Sequence, residues 1–148
     1  MTKVNIYLGF KDQAEEAFQL YSRVFNSPIE RIIRVKDLPN GADFSRQAGD
    51  KIAWMSLTLG NIQLWGEDRG YFAQYGTEAA DPKQVPRQFI SVYMADEAEV
   101  DQTMTQLSQG GQVILPFAPN FFSSYYGRLV DRYGIGWELM VSKQIKED

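Results

Sequence analysis

The sequence contains neither cysteine nor histidine in its 148 residues. Without cysteine the chain cannot form a disulfide, a thiolate zinc site or an iron–sulfur cluster, and it has no thiol nucleophile. Without histidine it has neither a Ser-His-Asp triad nor an imidazole metal ligand. Any chemistry that the protein performs therefore depends on carboxylates, tyrosine, lysine or arginine.

Basic clusters and long apolar stretches are missing as well. No Lys/Arg cluster is longer than a pair, and the formal net charge is −4, which argues against nucleic acid as a partner. Apolar runs end well before the roughly 20 residues of a membrane helix, and the first residues lack the apolar part of a signal peptide. We expect a cytoplasmic protein with no nucleic-acid or membrane partner.

The composition predicts one folded domain. Hydrophobic residues make up 44% of the chain and charged residues 23%, which is the usual balance in globular proteins. A chain of 148 residues is long enough to bury one continuous core. We therefore expect a single domain over residues 1–148.

The first module, residues 1–69, reads as a strand, a helix and three further strands. Asp12, with Glu15 three residues later, predicts the cap of an amphipathic helix, and Pro28 predicts that this helix has ended. A polar stretch and the turn at Gly60 separate the last three strands. The β-rich runs lie at 4–10, 29–35, 51–59 and 61–65.

The second module, residues 89–148, repeats this order after a connector at 70–88 that holds proline, glycine and small polar residues. Asp96 and Glu99 repeat the helix cap. Recurrence of caps, helices and turns in one order is a stronger signal than a single motif. The β-rich runs of this module lie at 89–94, 112–117, 124–131 and 136–142.

Two β-α-β-β-β modules predict an α+β fold with curved mixed β-sheets around a cavity and helices outside. A concave inner face of this kind suits a small organic molecule as the ligand.

Three segments carry a family resemblance. Residues 131–139 read Asp-Arg-Tyr-Gly-Ile-Gly-Trp-Glu-Leu, residues 14–17 read Ala-Glu-Glu-Ala, and residues 21–26 read Tyr-Ser-Arg-Val-Phe-Asn. With the duplicated plan, they make the chain similar to the vicinal-oxygen-chelate superfamily of glyoxalase, extradiol dioxygenase and bleomycin-resistance proteins. Arg132 stands where the superfamily signature usually has proline, a form that resembles the PhnB-like branch.

Metal-dependent members of that superfamily hold a divalent ion with four residues from four strands. The matching positions here are Asn5, Gln63, Phe89 and Glu138. Gln63 and Glu138 offer oxygen donors, but phenylalanine cannot bind a metal. The resemblance therefore implies the fold without a complete metal site, and we expect no cofactor. A weak divalent metal at Glu138 and Gln63 is the alternative.

Strand alternation selects the candidate ligand-binding residues. It places Glu138 on the cavity face of the last strand and Trp137 on the face that packs against a helix. Aromatic walls with a few polar groups are typical of small-molecule sites, although strand propensity alone also favours tyrosine and tryptophan. The candidate ligand-binding residues are Asn5, Tyr7, Gln63, Trp65, Phe89, Ser91 and Glu138.

Glu138 is also the candidate catalytic residue. Burial in an apolar cavity disfavours the charged form of a carboxylate, so we expect a raised pKa that suits general acid–base work. The alternative is a Glu138 that is exposed or paired with Arg128 or Arg132.

Two further segments and one cofactor class bear on the function. The aromatic segment 117–126 predicts either a lid over the cavity or a homodimer contact, and the charged segment 66–70 predicts a solvated turn. The PhnB-like branch carries a methyltransferase label. However, no strand–Gly-x-Gly-x-Gly–helix element is present, which argues against a methyl-donor cofactor.

The leading functional hypothesis is a metal-independent homodimer that binds a small organic molecule, with Gln63 and Glu138 as polar contacts. One alternative is an isomerase or lyase in which Glu138 moves a proton, with or without a weakly held divalent ion. The other is a protein that sequesters a drug or toxin, where the acidic composition favours a cationic compound.

Overall fold

The chain forms two compact units, Met1–Ala80 and Asp81–Asp148, in the computed structural model. In its described residues each unit has one α-helix and one four-stranded mixed sheet, so the prediction of an α+β fold with two β-α-β-β-β modules is confirmed. The single domain, the connector at 70–88 and the enclosed cavity stay predictions. The structure describes residues 1–39, 49–68, 81, 83–119 and 125–141.

The first unit has its strands in the order β1-β4-β3-β2, with β1 parallel to β4 and the other pairs antiparallel. The parallel pair requires a crossover, and the chain between β1 and β4 includes the helix α1, which packs on the sheet. A short 3-10 helix follows β2 at Val35–Asp37. The elements are β1 (Asn5–Phe10), α1 (Ala14–Val24), β2 (Ile29–Arg34), β3 (Ile52–Leu59) and β4 (Ile62–Asp68).

Helix α1 packs closely because a glycine lies beneath it. Phe18 is fully buried, and a Cβ atom added at Gly66 would lie only 2.6 Å from its ring. The side chains of Leu64 and Met55 are also fully buried. Gly66 and Leu64 alternate with Trp65, so α1 covers the face of the sheet opposite to Trp65.

The predicted cap of α1 is wrong. The N-cap residue is Gln13, while Asp12 has a φ of 60° and forms an ion pair with Lys51. Asp68 takes over the capping role, since its Oδ1 accepts a hydrogen bond from the Ala14 N–H at 2.9 Å. A carboxylate from a neighbouring strand therefore holds the first turn of the helix, which spacing along the helix could not reveal.

The predicted solvated turn at 66–70 is also wrong in its described part. Strand β4 continues to Asp68, which is only 4% exposed. Besides capping α1, Asp68 accepts a hydrogen bond through Oδ2 from the Ile52 N–H at 2.8 Å. Two main-chain donors satisfy the carboxylate, so its burial is compatible with a stable fold.

The second unit repeats the topology with the order β5-β8-β7-β6, in which β5 is parallel to β8. The predicted cap of its helix is confirmed, because Asp96 accepts a hydrogen bond from the Glu99 N–H at 2.9 Å. In the aromatic segment, residues 117 and 118 belong to β6, and residues 120–124 lie outside the described part. The elements are β5 (Phe89–Met94), α2 (Glu97–Leu107), β6 (Gln112–Ala118), β7 (Tyr126–Val130) and β8 (Gly136–Val141).

A buried aspartate organises the turn between β7 and β8. Asp131 is fully buried, and its Oδ1 accepts hydrogen bonds from the N–H groups of Tyr133 at 2.9 Å and Ile135 at 3.0 Å. Its Oδ2 accepts a hydrogen bond from Trp137 Nε1 at 2.9 Å. The acidic residue of the family-like motif therefore joins the turn to the core of the unit.

No helix in the described part of the chain is both long and apolar enough to span a bilayer.

Candidate functional site

The sheet face opposite the helix, termed the distal face of each unit, carries the predicted site residues. In the first unit Asn5 and Tyr7 of β1 lie opposite Gln63 and Trp65 of β4. Trp65 Nε1 donates a hydrogen bond to Gln63 Oε1 at 3.0 Å. The structure therefore brings the four residues predicted in this unit onto one surface.

Sequence reasoning missed one aromatic residue of this surface. The ring centroid of Trp54, on β3, lies 5.4 Å from that of Trp65, and the two rings are nearly perpendicular. Tyr7 packs against the same indole at 6.3 Å, also edge to face. The parity of β3 contained the signal, because Ser56 lies opposite Trp65 and shares its face with Trp54.

Asn5 has an unmet hydrogen-bonding group. Its Oδ1 is buried and has no hydrogen-bond partner among the described residues. A buried acceptor without a donor is destabilising, and a ligand or water that donates to it would remove that penalty. A groove of about 410 Å³ lies at this end of the sheet, lined in part by Thr2, Lys3, Thr58 and Gln63.

In the second unit Glu138 is the centre of a four-residue hydrogen-bond network. Ser91, directly opposite it on β5, donates its hydroxyl to Glu138 Oε1. Tyr126 donates its hydroxyl to Glu138 Oε2 at 2.6 Å. Arg128, opposite Glu138 on β7, places Nε at 3.3 Å from the same oxygen. We call Ser91, Tyr126, Arg128 and Glu138 the carboxylate network.

Arg128 is held by aromatic rings as well as by hydrogen bonds. Its Nε donates to the Tyr126 hydroxyl oxygen at 2.6 Å. Its Cζ lies 5.1 Å from the ring centroid of Phe89 and 5.6 Å from that of Tyr126. Cation–π attraction to two rings restricts the guanidinium, so its position does not depend on the carboxylate alone.

The expected rise in the pKa of Glu138 is wrong. Burial acts to raise the pKa, but the hydrogen bonds from Ser91 and Tyr126 and the positive charge of Arg128 outweigh it, and the pKa lies below the ordinary value of 4.5. Burial alone predicts a higher pKa, and the two hydrogen bonds together with the Arg128 charge reverse that effect. The alternative prediction, a Glu138 paired with Arg128, describes the observed contact.

Contacts in the same network raise the pKa of Tyr126. Burial and the hydrogen bond to Glu138 raise the pKa of Tyr126 above its ordinary value of 10.0, although Arg128 partly offsets the effect. At physiological pH Tyr126 is therefore neutral and donates a hydrogen bond, whereas Glu138 is ionised.

The residues at the four metal-ligand positions do not fit a divalent ion. Ser91, and not Phe89, lies opposite Glu138, and Phe89 lies opposite Gly136. Glu138 already accepts hydrogen bonds from Ser91 and Tyr126 and forms an ion pair with Arg128, whose positive charge repels a cation. Across the described ranges no group of three acidic, histidine or cysteine residues has the geometry of a metal site. The residues at these positions therefore do not support a chemical step through a metal.

Phe89, Ser91 and Glu138, the predicted residues of the second unit, thus occur on one distal face, with Arg128 joining Phe89 to Glu138. Tyr126 was missed as a member, although it shares the parity of Arg128 on β7. That the residues of both units line one cavity stays a prediction.

Comparison with known proteins identifies related sequences. A family model described as 3-demethylubiquinone-9 3-methyltransferase matches residues 2–140. No curated protein matches the chain.

Solved structures with high coverage are similar to this chain. Protein PA1353 from Pseudomonas aeruginosa is 25% identical, with a TM-score of 0.80 over 96% of this chain and 98% of that one. A PhnB protein from Bacillus cereus is also 25% identical, with a TM-score of 0.74 over 95% of this chain and 100% of that one. A mutant of the fosfomycin resistance protein FosX from Listeria monocytogenes, complexed with Mn(II) and a dihydroxypropylphosphonic acid, is 11% identical and shares the fold, with a TM-score of 0.62 over 97% and 95% of the chains.

Proposed function

The chain belongs to the PhnB-like 3-demethylubiquinone-9 3-methyltransferase family of the vicinal-oxygen-chelate superfamily, and we propose that it binds a small organic molecule without a resident metal. The proposed site is the distal face of the second unit around the carboxylate network. The observation that carries the proposal is a carboxylate held by two hydroxyl donors beside an Arg128 side chain that is 43% exposed.

The distribution of exposure supports a binding role. The Glu138 side chain is 18% exposed, whereas Arg128 extends further into solvent from the same contact. Holding a long side chain in one conformation reduces its entropy, and an exposed ion pair gains little in return. Phe89 and Tyr126 reduce this entropy loss on binding by restricting the guanidinium beforehand. A charged group that is positioned in advance and accessible is what a binding site requires.

The electrostatics favour binding over proton transfer. An effective general acid or base has a pKa near the working pH, and the pKa of Glu138 is lowered instead of raised. At neutral pH the group is an ionised and weakly basic carboxylate. The isomerase or lyase alternative depended on a raised pKa of Glu138, and the lowered pKa does not support it.

The methyl donor that the family description implies does not fit the described residues. The loop from β1 to α1, Lys11-Asp12-Gln13, contains no glycine, and the first helical N–H is bonded to Asp68. The first turn of α2 is capped by Asp96. Acidic side chains occupy both helix N-termini, where a nucleotide-like cofactor would place its own acceptors. The described residues therefore do not support a methyl-transfer step.

Two methionines provide a direct test of the site. Met140 lies opposite Tyr126 in the sheet, two residues from Glu138 and on the same face. Met94 lies on the other face, where it pairs with Val141, and both methionines are nearly buried. Spectra of ¹³C-methyl-labelled methionine should therefore show whether an added compound reaches the distal face of this unit.

The experiment titrates the labelled protein with a panel of small organic acids, amines and neutral aromatic compounds. We expect binders to shift the Met140 methyl signal and leave the Met94 signal in place. Arg128→Gln should weaken that binding, whereas the control Glu97→Gln, on the exposed first turn of α2, should not. Binders that shift Met94 and not Met140, or a panel that leaves Met140 unmoved, would contradict the proposal.

We also propose that the protein is a cytoplasmic homodimer. The edge strands β2 and β6 carry exposed apolar side chains, and exposed edge strands of this kind readily pair with another chain. Light scattering at micromolar concentration tests the assembly, and a mass near 16.9 kDa would contradict it. The exposed apolar residues on these strands are Ile32, Ile33, Val113 and Leu115.

A further inference from the structure

We infer that the proposed site selects an organic anion and binds its carboxylate or phosphonate head through the terminal nitrogens of Arg128. The inference rests on the proposed function, which leaves the charge of the ligand open. It follows from the donors and acceptors of the carboxylate network that remain available to a ligand.

Both oxygens of the Glu138 carboxylate already accept a hydrogen bond. Glu138 Oε1 accepts the Ser91 hydroxyl, and Oε2 accepts the Tyr126 hydroxyl and faces Arg128 Nε. The Tyr126 oxygen in turn accepts from Arg128 Nε. A cationic ligand would have to compete with these donors for the same oxygens, and it would lie within reach of a guanidinium of the same charge.

The donors of the network are not used up. Arg128 spends its Nε–H on the Tyr126 hydroxyl, and its terminal nitrogens have no hydrogen-bond partner among the described residues. The terminal N–H groups of arginine form a planar fork that matches the oxygens of a carboxylate or phosphonate. The unused N–H donors of the network therefore lie on Arg128, where their geometry suits an anion.

The geometry keeps this fork accessible. The two aromatic contacts of Arg128, to Phe89 and Tyr126, hold the guanidinium against the sheet, and 43% of the side chain still reaches solvent. Because little conformational freedom remains to be lost, an anion can bind without a large entropic penalty.

The acidic net charge does not reverse this preference. The chain carries a formal charge of −4, but charges further away than about 8 Å are largely screened at physiological ionic strength. A direct guanidinium–oxyanion contact acts at hydrogen-bond distance and therefore dominates the local recognition. The cationic compound expected from composition alone is thus disfavoured at this site.

The test compares four probes that share a phenyl group and differ in their polar head: benzoate, phenylphosphonate, benzylamine and benzyl alcohol. Dissociation constants come from the Met140 methyl shift, and the side-chain N–H signals of ¹⁵N-labelled arginine report the contact. We expect at least one of the two anions to bind about tenfold or more tightly than the amine and the alcohol, since hydrogen bonds to charged groups are among the stronger ones. The better anion identifies the head-group class.

Replacements of Arg128 distinguish the effect of its planar N–H geometry from the effect of its positive charge. Arg128→Gln should remove the preference for anions, and Arg128→Lys should retain only part of it, because lysine keeps the charge without the planar fork. Arg128→Gln/Glu138→Gln keeps the network neutral, so loss of preference in this variant cannot come from an unpaired Glu138. The control is Arg132→Gln, since Arg132 binds the Gln109 carbonyl outside the network and its replacement should leave the anion preference unchanged.

Two results would overturn the inference in different ways. If benzylamine or benzyl alcohol shifts Met140 and binds as tightly as the anions, the site exists but does not select an anion, and the proposed function stands. If none of the four probes shifts Met140, the inference fails together with the proposed function.

Discussion

Trp137 and Glu138 are neighbours in the sequence that lie on opposite faces of β8, and their replacement should have different effects. Trp137 is fully buried and donates to Asp131, whereas Glu138 lies in the partly exposed carboxylate network. We expect Trp137→Phe to lower the free energy of unfolding strongly and Glu138→Gln to lower it only slightly.

The expected magnitudes follow from these contacts. Trp137→Phe removes a hydrogen bond to a buried carboxylate, worth about 1.5–3 kcal/mol, and leaves a void that costs about 1–2 kcal/mol. The total of about 2.5–5 kcal/mol does not exceed the lower end of the stability of a typical domain, so the variant should still fold. Glu138→Gln keeps the size and one acceptor oxygen, and the ion pair that it breaks is partly exposed, so the loss should be about 1 kcal/mol or less.

Urea unfolding followed by circular dichroism measures both values without relying on tryptophan fluorescence. Asp131→Asn tests the hydrogen bond between Trp137 and Asp131. The amide that it introduces has an NH₂ group, which would face either the N–H donors of the turn or the indole N–H. Combined with Trp137→Phe, it should cost about 1.5–3 kcal/mol less than the sum of the single changes. A loss below about 1 kcal/mol for Trp137→Phe, with a loss above about 3 kcal/mol for Glu138→Gln, would refute the assignment of faces.

Three further predictions concern the buried aspartate, pH and metal. Asp68→Ala should lower the free energy of unfolding by about 2–5 kcal/mol, because it leaves the N–H groups of Ala14 and Ile52 without their acceptor. The control Asp12→Ala should cost about 1 kcal/mol or less, and equal losses in urea melts would contradict the capping role of Asp68. Because the pKa of Glu138 is lowered in the folded state, its contribution to stability is complete above the unfolded pKa of 4.5 and is lost as the pH falls through the folded pKa. The difference in free energy of unfolding between the wild type and Glu138→Gln should therefore become smaller below about pH 4.5. A difference that becomes larger there would contradict the direction of the pKa shift. Elemental analysis after dialysis should find zinc, nickel, manganese and iron well below one equivalent per chain, because the matched ligand positions include phenylalanine and a carboxylate bound to arginine. A metal retained at one equivalent per chain would contradict this expectation.

Local patterns in the sequence were sufficient to predict the elements of the fold. Period-two and helical spacing, together with the cap at Asp96, predicted the two β-α-β-β-β modules and the approximate strand bounds. Alternation along single strands also separated Glu138 from Trp137 and grouped Asn5 with Tyr7. These features depend on neighbours that are close along the chain, so a sequence records them directly.

The parts that the sequence could not predict depend on contacts between distant segments. Asp68 lies 54 residues from the Ala14 N–H that it caps, so a local capping rule selected Asp12 instead. The register that places Ser91 and Arg128 on either side of Glu138 determines the sign of its pKa shift, since burial alone acts in the opposite direction. The residue types and their strand faces were therefore determined by the sequence, whereas the charge state of the network and its free donor groups were determined by tertiary pairing, because hydrogen bonds and ion pairs depend on distances in space.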